Sequence, residues 1–320
     1  MDIILPTIIE DFLSYLETIK GKSQNTTSAY KYDLVLFMRF LKIRRKIYAS
    51  DFPLNEIDIS DIDDLFMKSI NLSDLYGFLA FAANIRGNKS HARARKVACL
   101  RSYFKYLHTK VHLIDDNPTI ELETPKTGER QPIHLTLEES RTLLDSISSE
   151  NTERDYAIIT LFLNCGLRLS ELCSIDINRI KGDTLAVVGK GNKERTVYLN
   201  DACRLAIDSY LKIRPRDQIK DRQALFLSER KQRISKRTVQ YIVKNQLEKA
   251  GLNIEKYSAH KLRHTAATLM YKHGNVDIRA LQQILGHENI STTQIYTHLD
   301  DDRLRKAVKS NPLSDVKRLE

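Results

Sequence analysis

A chain of 320 residues has room for about two ordinary domains, and a hydrophobic fraction of 42% supplies real cores, which excludes wholesale disorder. No run approaches the ~20 apolar residues of a membrane span. The opening MDIILPTIIEDFL is interrupted by Asp2, Pro6 and Glu10 and lacks a basic leader, so it does not read as a signal peptide. The formal net charge of +10 points toward an acidic partner.

Taken in chain order, the first part reads as helices. Tyr30, Leu34, Phe37, Met38 and Leu41 recur at helical spacing and predict a helix over 26–41, with Asn25 or Thr26 able to cap it. Residues 51–64 carry six acids and no Lys or Arg, and read as a loop with a short turn. A helix over 71–86 should end near Gly87. The next, over 90–109, buries Val97, Leu100, Phe104 and Leu107, with Ser90 as a candidate cap. It lies in a stretch, 82–114, with eight Lys/Arg and no acid. Such blocks suit either a phosphate backbone or a solvated basic surface.

Residues 115–135 hold three prolines, one glycine and no periodicity, and mark a linker. A helix then starts at Thr136, which forms a capping box with Glu139. An apolar helix, DYAIITLFLNC, ends at Gly166. TLAVV (184–188) and RTVYL (195–199) flank GKGNKE and predict a hairpin. Helices follow at about 201–213, 236–250, 259–273, 277–285 and 292–299. Residues 209–250 carry twelve Lys/Arg against four acids. Cys99, Cys165, Cys173 and Cys203 form no C-x-x-C pair and read as buried or free thiols of a cytoplasmic protein.

Four segments of the second part carry candidate chemistry. In GLRLSEL, Arg168 follows a helix end, where it can point into a cleft or cover the helix with its stem. GKGNKER sets Lys190, Lys193 and Arg195 around a turn and lacks the spacing of a Walker A loop. In HKLRH, His260 and Arg263 share a helical face. His260 and His264 also share one, but Lys261 stands where a zincin needs glutamate. In LGHENISTTQIYTHL, Gly286 ends a helix, His287 sits in the turn, and Tyr296 follows on the next short helix. Each segment alone has an ordinary structural explanation.

Their conjunction and order resemble, residue by residue, the catalytic set of the tyrosine recombinases, or phage integrase family: Arg168, Lys190, His260, Arg263, His287 and Tyr296. The nine-residue spacing from His287 to Tyr296 and the wording of these segments are similar to the bacterial Xer-type branch. The resemblance covers about 135–310 and only in outline the first 115 residues, where the acidic 44–70 region is longer than in shorter Xer proteins. It implies a mainly α fold: a helical core-binding domain (1–115), a linker (116–134) and an α-rich catalytic domain with a small β-sheet and a C-terminal tail helix (135–320).

It also implies site-specific cleavage and rejoining of DNA through a 3′-phosphotyrosine at Tyr296, with no metal or other cofactor. By that resemblance Arg168, Arg263 and His287 contact the phosphate, His260 assists proton removal from Tyr296, and Lys190 protonates the leaving 5′ oxygen. Glu171 orients Arg168. Arg93, Arg95, Lys96, Lys193 and Arg195 are expected to contact the DNA backbone. The partners implied are double-stranded DNA and three further recombinase subunits, identical or mixed; Leu304, Val308 and Leu313 give the tail a short amphipathic pattern that either docks on a neighbouring subunit or folds back on its own domain. No membrane partner is expected, and the location is cytoplasmic and nucleoid-associated. Other readings are a type IB topoisomerase, a non-catalytic DNA-binding relative and a metal-dependent nuclease. The last lacks the clustered carboxylates it would need.

Overall fold

The computed structural model describes residues 3–126, 132–189, 193–274, 276–287, 289 and 291–296. The chain divides into two compact units, Met1–Glu129 and Arg130–Glu320. The fold is mainly helical with one small sheet.

The first unit contains α1 (Thr7–Thr18), α2 (Gln24–Arg44), α3 (Asp64–Lys68), α4 (Leu72–Asn84) and α5 (Ser90–Thr109). Helix α1 lies where the sequence reading placed no element. Ile9, Phe12 and Leu16 form one buried stripe. That spacing was present in the sequence but interrupted by acids on the opposite, exposed face. Helices α2, α4 and α5 bury Leu34, Phe37, Met38, Leu41, Leu75, Phe78, Leu100, Phe104 and Leu107 in one core. Asn71 and Asp74 cap α4 reciprocally. Gly87 then turns the chain at φ 61°, and Ser90 proves to be the first helical residue, not a cap.

The acidic stretch is a loop with turns, as expected, but a packed one. Ile57, Ile59 and Ile62 are buried, while Glu56, Asp58, Asp61 and Asp63 between and around them are exposed. The Arg39 Nε donates to the Ile57 carbonyl at 3.1 Å, and the buried Lys42 pairs with Asp61. Asp63 caps α3 through the Phe66 amide at 2.8 Å. Ile114 and Leu122 also join this core, so the packed unit runs past residue 115 and takes in the first part of the expected linker.

The second unit contains α6 (Leu137–Asp145), α7 (Thr152–Cys165), α8 (Leu169–Cys173), β1 (Ile180–Lys181), β2 (Thr184–Val188), β3 (Glu194–Tyr198), α9 (Asp201–Ile213), α10 (Lys236–Lys249), α11 (Ala259–His273), α12 (Ile278–Leu285) and α13 (Ser291–Gln294). The sheet is antiparallel in the order β1-β2-β3, with Ala186 opposite Thr196. The hairpin is as expected, and β1 is an addition of two residues, too short to leave a sequence pattern. Leu185, Val187 and Val197 point into a core shared with α7, α9, α10 and α11. All four cysteines are buried and unbridged. Residues 297–299 of the expected last helix, and the tail with Leu304, Val308 and Leu313, lie outside the described residues. Among the described residues, no helix is long and apolar enough to cross a membrane.

Candidate active site

The site is built where α7 stops. Gly166 ends that helix at φ 59°, a left-handed conformation that a side chain would strain, and a Cβ there would come within 2.8 Å of Leu285. The chain turns at once into α8, whose N-cap residue is Arg168. Glu171, one turn on, accepts the Arg168 amide at 2.8 Å and its Nη1 at 2.8 Å. The opposite edge of that guanidinium donates through Nη2 to the Gly286 carbonyl at 2.7 Å. About a third of the Arg168 side chain remains exposed to the cleft.

Glu171 is the hub. Its carboxylate has no solvent exposure, and besides Arg168 it accepts Arg195 Nη2 at 2.9 Å. Arg263 Nη1 lies 3.8 Å away. Burial alone would raise the Glu171 pKa; the hydrogen bond and charge of Arg195, with the amide and guanidinium of Arg168, outweigh it and hold the carboxyl below its ordinary value. Arg195 Nη1 also donates to the Ile284 carbonyl at 2.6 Å, so strand β3 holds the last turn of α12. Arg263 serves the same end from α11, with Nη1 on the Gly166 carbonyl at 2.6 Å and Nη2 on the Leu285 carbonyl at 2.7 Å. Burial pulls Arg263 down to about 10, which leaves it charged at neutral pH.

Gly286 closes this ring of contacts at φ 63°, and a Cβ would stand 2.6 Å from Arg195 Cδ and 3.6 Å from Arg168 Nη1. A left-handed alanine costs roughly 1–2 kcal/mol by itself. Gly286→Ala is therefore expected to lower the unit's stability by about that amount and to displace the Arg195 side chain from Glu171, the residue that holds Arg168, slowing the DNA cleavage that the sequence resemblance implies more than it weakens DNA binding. Thermal unfolding and single-turnover cleavage check this. Unchanged cleavage would mean that Arg195 does not help Glu171 set the position of Arg168.

Helix α11 presents the histidines. Ala259 and Leu262 pack inward and turn His260 and His264 toward the cleft. His287 follows Gly286, and its Nδ1 is 2.9 Å from Thr293 Oγ1. Tyr296 is buried (1% exposed), packed with Ala267, Leu281 and Leu285. Its hydroxyl meets His264 Nδ1 at 2.6 Å, and His264 Nε2 meets His260 Nε2 at 3.1 Å. Burial pushes Tyr296 up to about 12, with Arg263 pulling the other way. Burial first, then neighbouring positive charge, lowers His260 and takes His264 and His287 each to about 4. At neutral pH His264 and His287 are uncharged, while Arg168, Arg195 and Arg263 bring positive charge to the site.

An open cleft of about 850 Å³ is lined by Arg168, Lys193, Arg195, His260, His264 and His287 among others. The structure thus brings together Arg168, His260, Arg263, His287 and Tyr296; Lys190 lies outside the described residues. Two expected DNA contacts need correction. Lys96 is buried and paired with Asp33 at 2.6 Å, so its ammonium serves the first unit's core and is not presented to a phosphate. Arg195 spends its guanidinium on Glu171 and Ile284 and is 14% exposed, which makes it a brace of the site. Arg95 is also engaged with Asp33 but stays partly exposed, and Arg93 has a buried Nε without a hydrogen-bond partner among the described residues. His264 was weighed in the sequence only as half of a metal pair. Its contact with Tyr296, 32 residues away, has no sequence signal. Among the described residues, no three His, Cys, Asp or Glu gather as a metal site.

Comparison with known proteins agrees with this geometry. The model described as "Phage integrase family" matches residues 134–303, and the chain belongs to that family, the tyrosine recombinases. Tyrosine recombinase XerC of Caldanaerobacter subterraneus subsp. tengcongensis is 61% identical over 309 residues, 97% of this chain and 88% of that protein. Tyrosine recombinase XerD of Proteus mirabilis is 35% identical over 93% of this chain and 90% of its own length. The recombinase is of the Xer type. The fold matches XerH site-specific recombinase bound to palindromic difH substrate, a post-cleavage complex, with TM-score 0.69 over 97% of this chain and 98% of that one, at 24% identity.

Proposed function

We propose that this protein cuts and rejoins duplex DNA at specific sites, with Tyr296 as the nucleophile and a 3′-phosphotyrosine as the intermediate. A covalent enzyme–DNA bond conserves the energy of the phosphodiester for rejoining. Arg168 and Arg263 bind the non-bridging oxygens of the scissile phosphate, where negative charge accumulates in the transition state, and His287 contacts the same phosphate. Lys190 protonates the leaving 5′ oxygen. Glu171 positions Arg168. His260 takes part in removing the proton from Tyr296. Arg93, Arg95 and Lys193 contact the DNA backbone. The observation that carries this reading is the meeting of Arg168, His260 and His287 on one cleft beside Arg263 and the buried Tyr296. The names of its Xer-type relatives support the same activity. We further propose that it works as a tetramer on paired sites, joined through the tail after Tyr296, in the cytoplasm and on the nucleoid.

Suicide substrates nicked beside the cleavage position, incubated with protein in EDTA, test the reading on a denaturing gel. Wild type should form a covalent adduct, and Tyr296→Phe should form none while binding the same DNA. An equal adduct from the phenylalanine variant would move the nucleophile elsewhere. No adduct from wild type on sites it binds would leave a DNA-binding protein without strand exchange.

A further inference from the structure

Tyr296 poses a problem that the phosphate-binding groups do not solve. Its hydroxyl is buried, burial raises its pKa to about 12, and it must lose a proton to attack at neutral pH. His260 does not contact it. Between them stands His264, with Nδ1 2.6 Å from the phenol oxygen and Nε2 3.1 Å from His260 Nε2. The two imidazoles lie 4.5 Å apart, centroid to centroid, edge to face. His260 is exposed on the cleft, and His264 is half-buried beneath it.

We propose that His264 is a catalytic residue that carries the proton of Tyr296 to His260, and so to solvent. This rests on Tyr296 being the nucleophile. A neutral imidazole donates from one nitrogen and accepts at the other. If the phenol donates to Nδ1 of His264, then its Nε2 carries a hydrogen, and the bare Nε2 of His260 accepts it. Shifting each proton along its hydrogen bond gives a second arrangement that satisfies both contacts equally. The tyrosine O–H breaks as a bond forms to Nδ1. The Nε2–H of His264 breaks as a bond forms to His260 Nε2. The products are a phenolate, a neutral His264 of the other tautomer, and a His260 imidazolium that loses its proton to water. No electron changes hands, and no partner beyond water is needed. His264 must start neutral for this to work. The positive charge that faces it comes from Lys261 and Arg263 on its own helix and from Arg168 and Arg195 across the cleft; His260, His287 and Tyr296 are the other titratable neighbours.

The test compares wild type, His264→Ala and His264→Asn in single-turnover suicide cleavage across pH, with DNA binding and thermal unfolding measured for each. Asparagine leaves an acceptor oxygen where Nδ1 stands but cannot pass a proton on. Both variants should bind DNA as wild type does and form adduct at least 100-fold more slowly near neutral pH, the low end of what a positioned proton acceptor contributes. Their rates should go on rising toward higher pH, where hydroxide takes over. Added imidazole should restore part of the rate to the alanine variant. A wild-type rate from the asparagine variant would reduce His264 to a positioning residue and overturn the relay. A faster rate from either variant would make it a restraint on Tyr296 and overturn it equally. The two readings fail separately: adduct formed by Tyr296→Phe removes the nucleophile itself, whereas a tyrosine-dependent adduct insensitive to residue 264 removes only the relay.

Discussion

Glu171→Ala is expected to destabilise the second unit by about 3–5 kcal/mol, the usual consequence of removing one partner from a buried ion pair. It should also suppress covalent adduct formation at least tenfold at temperatures where the protein is still folded. The carboxylate is fully buried and receives hydrogen bonds from both Arg168 and Arg195, with Arg263 nearby. Without it, three guanidinium groups face one another across a small volume with only carbonyl dipoles to separate them. Arg168 would lose the contact that fixes its plane, and Arg195 would lose the anchor through which β3 holds the end of α12. Glu171→Gln keeps the volume and one acceptor, and should lose less stability than alanine while still losing activity.

The pH dependence has a definite sign. A carboxyl whose folded pKa lies below its unfolded value contributes stability above the unfolded pKa and loses it as pH falls through the folded one. Glu171 is held below 4.5, so the gap in stability between wild type and Glu171→Gln should be widest near neutral pH and close as the solution is made more acid than that. Urea unfolding at several pH values measures the gap. A constant gap across that range would show that the charge of Glu171 is not what the arginines require.

The sequence made the chemistry legible because the arginines, histidines and tyrosine sit in short segments with their own structural signals. Gly166 and Gly286 mark helix ends, and both adopt the left-handed conformation that such an end needs. What the sequence could not convey was how those segments share contacts. Arg168 and Gly286 are 118 positions apart, yet one donates to the other's carbonyl. Arg195 looked like a turn-tip cation because its neighbours Lys190, Lys193 and Glu194 are charged. Its side chain instead turns inward, since β3 places alternate residues on opposite faces and Val197, two positions on, faces the core. The same limit applies to α5. A dense basic stretch reads as a surface whichever of its residues the helix turns inward, and Lys96 is one turn from Leu100 on the buried face.

That misreading of Lys96 has a measurable counterpart. Asp33 and Lys96 are 2% and 1% exposed, with Nζ 2.6 Å from Oδ1, while Arg95 occupies the other carboxylate oxygen. Phe78 and Tyr32 stand within 6 Å of the ammonium and contribute only their ring faces. Asp33→Ala should therefore strand a lysine charge in the core of the first unit and lower its stability by about 3–5 kcal/mol. The double variant Asp33→Ala/Lys96→Met should regain most of that, because an apolar side chain of similar length has no charge to desolvate. Additive losses in urea unfolding would mean that Lys96 reaches water when its partner is gone. The pair also separates stability from DNA contact. Each lysine or arginine that neutralises a phosphate steepens the fall of affinity with salt by about one unit in the logarithmic slope. Lys96→Met should leave that slope unchanged once the protein is folded, and Arg93→Ala should reduce it. The same loss of slope from both variants would place the Lys96 ammonium on DNA and require Asp33 to release it on binding.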